Sequence, residues 1–105
     1  IPCTREMSSR QISEAYEAAT GDIIADAFMG MDPMHTPAVL VRHHGPFTWG
    51  RSASDAVHNA VVLEEVAHMA SITVALNPNV EMNADLVEKH YERKHGANAY
   101  YGQKK

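Results

Sequence analysis

The apolar positions of the chain change rhythm as it proceeds. Ile12, Ala15, Tyr16 and Ala19 fall at i, i+3, i+4 and i+7, the spacing of one helix face. Ser8 with Gln11 three residues on makes a capping box at its start. Thr20-Gly21 predicts an interruption, and Asp22 to Met29 reads as a second short helix or a continuation, closed by Gly30. Two prolines between Asp32 and Pro37 predict a loop. Ala38-Val39-Leu40-Val41 is a short apolar, β-branched run that reads as a buried strand. After the turn His43-His44-Gly45-Pro46, Phe47-Thr48-Trp49 alternates apolar and polar up to Gly50. The two runs predict an antiparallel hairpin.

A longer rhythm follows. Ser52 with Asp55 is a helix N-cap, and a helix is predicted from about Ala53 to Leu76. Ala56, Ala60, Leu63, Ala67, Ala70 and Val74 form one stripe, widened by Val62, Val66 and Met69. So broad an apolar face predicts burial against a sheet or other helices. Asn77-Pro78-Asn79 ends it, and Asn83 caps a last helix from about Ala84 to His95, stopped by Gly96. Pro2 and Thr4 predict an extended entry, and the tail from Ala97 is polar apart from Tyr100 and Tyr101.

The fold class is therefore α/β, with three or four helices and a short hairpin. Two strands do not make a self-sufficient sheet, and the long helix needs a partner surface that the chain barely supplies. The chain also begins with Ile1 and not methionine. The expectation is a fragment: residues 1–105 as the C-terminal part of a single domain whose N-terminal half is absent.

Composition narrows the class. With 45% apolar and 21% charged residues the chain is typical of a soluble globular protein. A net charge of -4 argues against a nucleic-acid partner, which calls for a basic face. No uninterrupted apolar run approaches the roughly 20 residues of a membrane span, so no membrane association is expected. The N-terminus lacks the charged and apolar regions of a signal peptide. Cys3 is the one cysteine, which fits a reducing cytoplasm. It is expected to be a small buried residue and not a nucleophile.

Seven histidines stand out. His43 and His44 lie where a strand meets a turn, and imidazole is a common zinc ligand. Neighbours on a strand point to opposite faces, so at most one of the pair faces a site. A catalytic zinc needs three protein ligands, and the chain has neither His-x-His nor His-Glu-x-x-His. Glu64-Glu65 with His68 contains one Glu-x-x-His step, where di-iron bundles use two. A solvated helix face accounts for it, and His58 has an equally plain reading as a cap or cleft residue. His90 and Arg93 share a face of the last helix. Lys89, Arg93, Lys94 and His95 complement the helix dipole without needing a ligand. Tyr100 and Tyr101 lie in a segment that would ordinarily fray, although a tyrosine of tuned pKa can act as a general acid. Gly-rich phosphate loops and nucleophile elbows are missing from the sequence. Spacing alone stops at an α/β piece with a candidate histidine site.

Several stretches taken together go further. They are Ile1 to Arg5, His44-Gly45-Pro46-Phe47 with Trp49-Gly50, and Asp55 to Ala60. Leu63 to Ala67, Lys89-His90-Tyr91 with Arg93 to Gly96, and Ala99-Tyr100-Tyr101-Gly102-Gln103 follow. In this order and spacing the whole chain resembles the C-terminal half of bacterial L-ribulose-5-phosphate 4-epimerases, of the class II aldolase superfamily. The tail and the Arg-Lys-His-Gly step resemble the epimerases more than the aldolases of that superfamily.

The resemblance implies a helix-sheet-helix fold and a cytoplasmic homotetramer of pentose metabolism with sites at subunit interfaces. It implies an isomerase that converts L-ribulose 5-phosphate to D-xylulose 5-phosphate, serving a pathway such as arabinose catabolism. The epimerised carbon carries no acidic C–H, so the family cleaves the C3–C4 bond and re-forms it on the other face of the resulting aldehyde. A divalent metal, most often zinc, supplies the Lewis acid for such cleavage. Three histidines hold it: a His-x-His pair expected before Ile1, and a third that matches His44. Acid/base groups serve the two faces of the aldehyde. One is an aspartate expected upstream of Ile1, and the other a tyrosine from the adjacent subunit that matches Tyr101. His90 matches a family histidine near the site. With the phosphate loop, two ligands and the aspartate missing, the chain by itself is expected to be inactive. The competing readings are a class II sugar-phosphate aldolase that releases its aldehyde, and a non-catalytic partner-binding fragment.

Overall fold

The computed structural model describes residues 1–102. Two compact units make up the chain, Ile1–Met69 and the segment from Ala70 onward.

The first unit is organised around a hairpin. Strand β1 (Ala38–Val41) pairs antiparallel with β2 (Gly45–Thr48), with Ala38 opposite Thr48 and Val41 opposite Gly45. The second strand thus starts two residues before the predicted Phe47, because Gly45 and Pro46 already pair with Val41 and Leu40. Pro46 is tolerated because it stands in an edge strand. On the other side of β1 the N-terminal segment adds a parallel bridge at Cys3 and Leu40. The Leu40 N–H donates to Pro2 O and the Thr4 N–H to Leu40 O, each at 2.9 Å. This extended entry puts Thr4 inside and Cys3 outside, as period-2 alternation requires. Cys3 is therefore exposed, contrary to the buried residue expected.

Two helices cover the hairpin. The Ser8 capping box starts α1 (Ser9–Glu14) as predicted. The interruption, however, falls at Ala15 (φ -156°, ψ 44°), and α2 (Tyr16–Ala27) runs unbroken through Thr20-Gly21. Thr20 is held in the helix by burial and by its hydroxyl, which donates to Tyr16 O at 2.7 Å. The break re-phases the helix, so Ile12 and Tyr16 stay exposed while Ala19 and Ile23 turn inward. Ile23, Phe28, Val39 and Val41 form the core, with Met7, Ile24, Ala27 and Trp49 against them. Phe28 and Trp49 meet edge to face at 5.2 Å, an arrangement that aligns a ring's positive edge with its neighbour's negative face.

Helix α3 (Ala53–Leu76) has the predicted bounds, and the Ser52 hydroxyl accepts the Asp55 N–H at 3.1 Å. Its start is tied to the hairpin by the Thr48 hydroxyl on Ala56 O and the Asn59 amide on Trp49 O. The predicted burial of its stripe is not met within this chain. Leu63 alone is buried, and Val57, Val61, Val62, Val66, Met69, Ile72 and Val74 are each at least 42% exposed. A helix apolar on so many sides is one built to be covered on several. It is also long and apolar enough, by length and composition, to cross a membrane. No uninterrupted apolar run underlies this: alanine and valine raise the average while Glu64, Glu65 and His68 break the run. Acidic residues at a bilayer centre cost roughly 2.5–3.5 kcal/mol each. Two adjacent carboxylates in mid-helix thus favour a helix covered by protein.

In the second unit α4 (Ala84–His95) also matches its predicted bounds, with the Asn83 side chain accepting the Leu86 N–H. Gly96 ends it by close approach and not by a left-handed turn. Its φ is -68°, and a Cβ there would sit 2.6 Å from Glu92 O.

Candidate active site

His44 is presented by the hairpin tip. Val41 to His44 form a tight turn closed by the His44 N–H on Val41 O at 3.0 Å. His43, at the third position, adopts φ 62°, the left-handed region that a type II turn uses there and a type I turn does not, and that side chains rarely take. The two histidines accordingly diverge, although from a turn and not from the pleat of a strand. His43 Nε2 lies 3.6 Å from Glu6 Oε1. His44 stacks on Phe47 instead, with ring centroids 5.3 Å apart and planes at 19°.

His44 and Phe47 form one wall of an open cavity of about 320 Å³. Across it stand Tyr16, Glu17 and Thr20 on α2. The sequence reading missed Glu17 and Tyr16, since a separation of 27 positions between Glu17 and His44 carries no spacing signal. The cavity joins an imidazole, a carboxylate and a phenol on an apolar floor. Among the described residues no three His, Cys, Asp or Glu side chains are grouped to hold a metal.

His90 and Tyr101 belong to the second unit. His90 is exposed on α4. The tail does not simply fray: the Tyr100 and Tyr101 N–H groups both donate to Arg93 O at 3.0 Å. The Arg93 guanidinium lies over the Tyr101 ring, 4.4 Å from its centre. A second cavity of about 270 Å³ is bordered by Lys89, Glu92, Arg93, Asn98 and Tyr100. Gln103, which ends the tail motif, lies outside the described residues. His58, Glu64, Glu65 and His68 are exposed along α3, as are the valines beside them.

Residues 1–71 match the family described as the Class II Aldolase and Adducin N-terminal domain. The chain belongs to that family. The matched stretch takes in the whole hairpin, the His44 turn and most of α3 in this class II aldolase domain. Two curated relatives extend the similarity to the tail. The L-ribulose-5-phosphate 4-epimerases UlaF of Salmonella paratyphi A and of Salmonella typhi are each 52% identical over 105 residues, covering 99% of this chain. The chain spans 46% of the length of each. His90 and Tyr101 lie beyond the family match but inside the alignment to the epimerases.

Proposed function

We propose that the chain is the C-terminal half of a helix-sheet-helix class II aldolase domain that epimerises L-ribulose 5-phosphate to D-xylulose 5-phosphate. The observation that carries this reading is the 52% identity to the epimerases over nearly the whole chain. The uncovered apolar faces of α3 support it, because they call for a larger body. That body is a cytoplasmic homotetramer with its sites between subunits.

In this reading His44 is one ligand of a divalent metal, most naturally zinc. Its ring is suited to ligation, being accessible at a rigid hairpin tip and fixed in plane by stacking on Phe47. One imidazole does not complete a site, and no three candidate ligands are grouped among the described residues; in this reading the further ligands come from the part of the protein outside this chain. The metal would contribute Lewis-acid stabilisation of negative charge on the substrate.

This chain's other contribution is proton transfer. When the C3–C4 bond breaks, the C4 hydroxyl must lose its proton as the aldehyde forms. On re-addition to the opposite face, the new alkoxide must regain one. Tyr101 serves one face as general acid/base, and an acid/base group from outside the chain serves the other. His90, exposed on the helix that anchors Tyr101, has a secondary role at the same site.

The test is direct. The full-length protein, incubated with L-ribulose 5-phosphate, should produce D-xylulose 5-phosphate and stop doing so when a chelator strips the metal. Free glycolaldehyde phosphate accumulating without xylulose 5-phosphate would instead identify an aldolase.

A further inference from the structure

Arg93 grips the tail twice. Its carbonyl oxygen takes the N–H groups of Tyr100 and Tyr101, both at 3.0 Å. Its guanidinium carbon sits 4.4 Å from the Tyr101 ring centre, inside the roughly 6 Å reach of a cation–π contact. Lys94 adds a second, more distant cation at 5.6 Å. Arg93 Nε is buried and has no hydrogen-bond partner among the described residues. The return of the chain is made by Gly96, where any Cβ would strike Glu92, and by the Ala99 N–H on Gly96 O at 3.1 Å.

We propose that Arg93 is a positioning residue for the Tyr101 phenol. This rests on the reading of Tyr101 as the acid/base group. A residue beyond the last helix and outside any strand has little order of its own, whereas proton transfer requires its oxygen within hydrogen-bond reach of the substrate. A misplacement of about 1 Å costs on the order of 100-fold in rate. The carbonyl of Arg93 fixes the main chain of Tyr101, and the guanidinium above the ring limits how the phenol swings about it. These two restraints are separable. Arg93→Met keeps the carbonyl and an apolar stem and removes the cation. Arg93→Lys keeps a cation without the flat stacking surface.

The experiment measures kcat and KM for L-ribulose 5-phosphate in the full-length wild type, Y101F, R93M, R93K and the R93M/Y101F double variant. R93M should lower kcat by about 10- to 100-fold with KM changed less than about twofold. R93K should recover part of the loss. The double variant should be no slower than Y101F, because a misplaced ring costs nothing once its hydroxyl is gone. Wild-type kcat in R93M, multiplicative losses in the double variant, or a raised KM at unchanged kcat would each overturn the assignment. NMR of ¹³C-labelled tyrosine in the same proteins reads the ring without turnover. The Tyr101 signal should shift and broaden in R93M and less so in R93K. An unmoved signal overturns the positioning role. Failure of the wild type to epimerise would instead strike the functional reading.

Discussion

The imidazole of His44 lies nearly parallel to the ring of Phe47, at 19° and 5.3 Å between centroids. The hairpin register makes this contact: His44 closes the turn and Phe47 sits opposite Val39 on the returning strand. Partners that orient a ligating imidazole typically change metal affinity about 10- to 100-fold. On the proposed ligation of zinc by His44, Phe47→Ala should weaken zinc binding by the full-length protein about 10-fold, measured by competition with a chromophoric chelator. His44→Ala should cost considerably more. Unchanged affinity in Phe47→Ala would remove the stack from any role in the site.

Thr4 joins the N-terminal segment to the hairpin through its side chain as well as its backbone. It is 3% exposed, and its hydroxyl oxygen accepts the Arg42 N–H at 3.1 Å. Thr4→Val preserves the shape but strands that N–H, a loss of about 1–3 kcal/mol. Thr4→Ser keeps the acceptor and loses one methyl, about 1 kcal/mol. Urea denaturation of the full-length protein should rank wild type above Ser, and Ser above Val. A valine variant as stable as the serine variant would show that the hydroxyl contributes nothing.

These contacts also mark how far the sequence was legible. The bounds of β1, α3 and α4 were readable because local chemistry sets them. Ser52 and Asn83 cap their helices with their own side chains, and the alternation around the turn announces the hairpin. The break at Ala15 was not readable, since no glycine or proline marks it and Thr20-Gly21 carries the stronger breaker signal. Burial of Thr20 and Ile23 against the hairpin overrides that signal. Cys3 was misjudged because its exposure depends on pairing with Leu40, 37 positions away. The candidate site divides in the same way. His44 could be suspected from its place at a turn, whereas Glu17 beside it and Arg93 over Tyr101 are products of chain return. Tyr101 itself gained a role only through resemblance to the epimerases.

His43 pays a conformational cost for the turn that presents His44. Its φ of 62° lies in the left-handed region, which costs an ordinary L-residue about 1–2 kcal/mol. Its contact with Glu6, 3.6 Å between two exposed side chains, offsets little of this. His43→Gly should leave stability unchanged or raise it by up to about 1 kcal/mol, after the entropy glycine adds to the unfolded chain. His43→Val should lower it by more than about 1 kcal/mol, since a β-branched side chain is worst in this region. Thermal unfolding of the two variants checks the ordering, and a valine variant as stable as the glycine variant would refute it.

Two further glycines should respond to alanine in opposite directions. At Gly50, between the hairpin and α3, a Cβ would lie 2.5 Å from the Asp55 Cβ and 2.9 Å from the Ala56 nitrogen. Neither neighbour can yield: Asp55 is pinned by Ser52, and the Ala56 carbonyl accepts the Thr48 hydroxyl. Gly50→Ala must push the start of α3 away from the hairpin, at a cost of about 1–3 kcal/mol. At Gly21, inside α2, an added Cβ meets nothing within 4 Å. Alanine there gains helix propensity and loses unfolded-state freedom, a stabilisation of about 0.5–1 kcal/mol. Melting temperatures of the full-length variants should fall for Gly50→Ala and rise for Gly21→Ala. A fall at both positions would mean that Gly21 is held against a surface outside residues 1–105, and a rise at both would mean that the approach of Gly50 to α3 is looser than its geometry states.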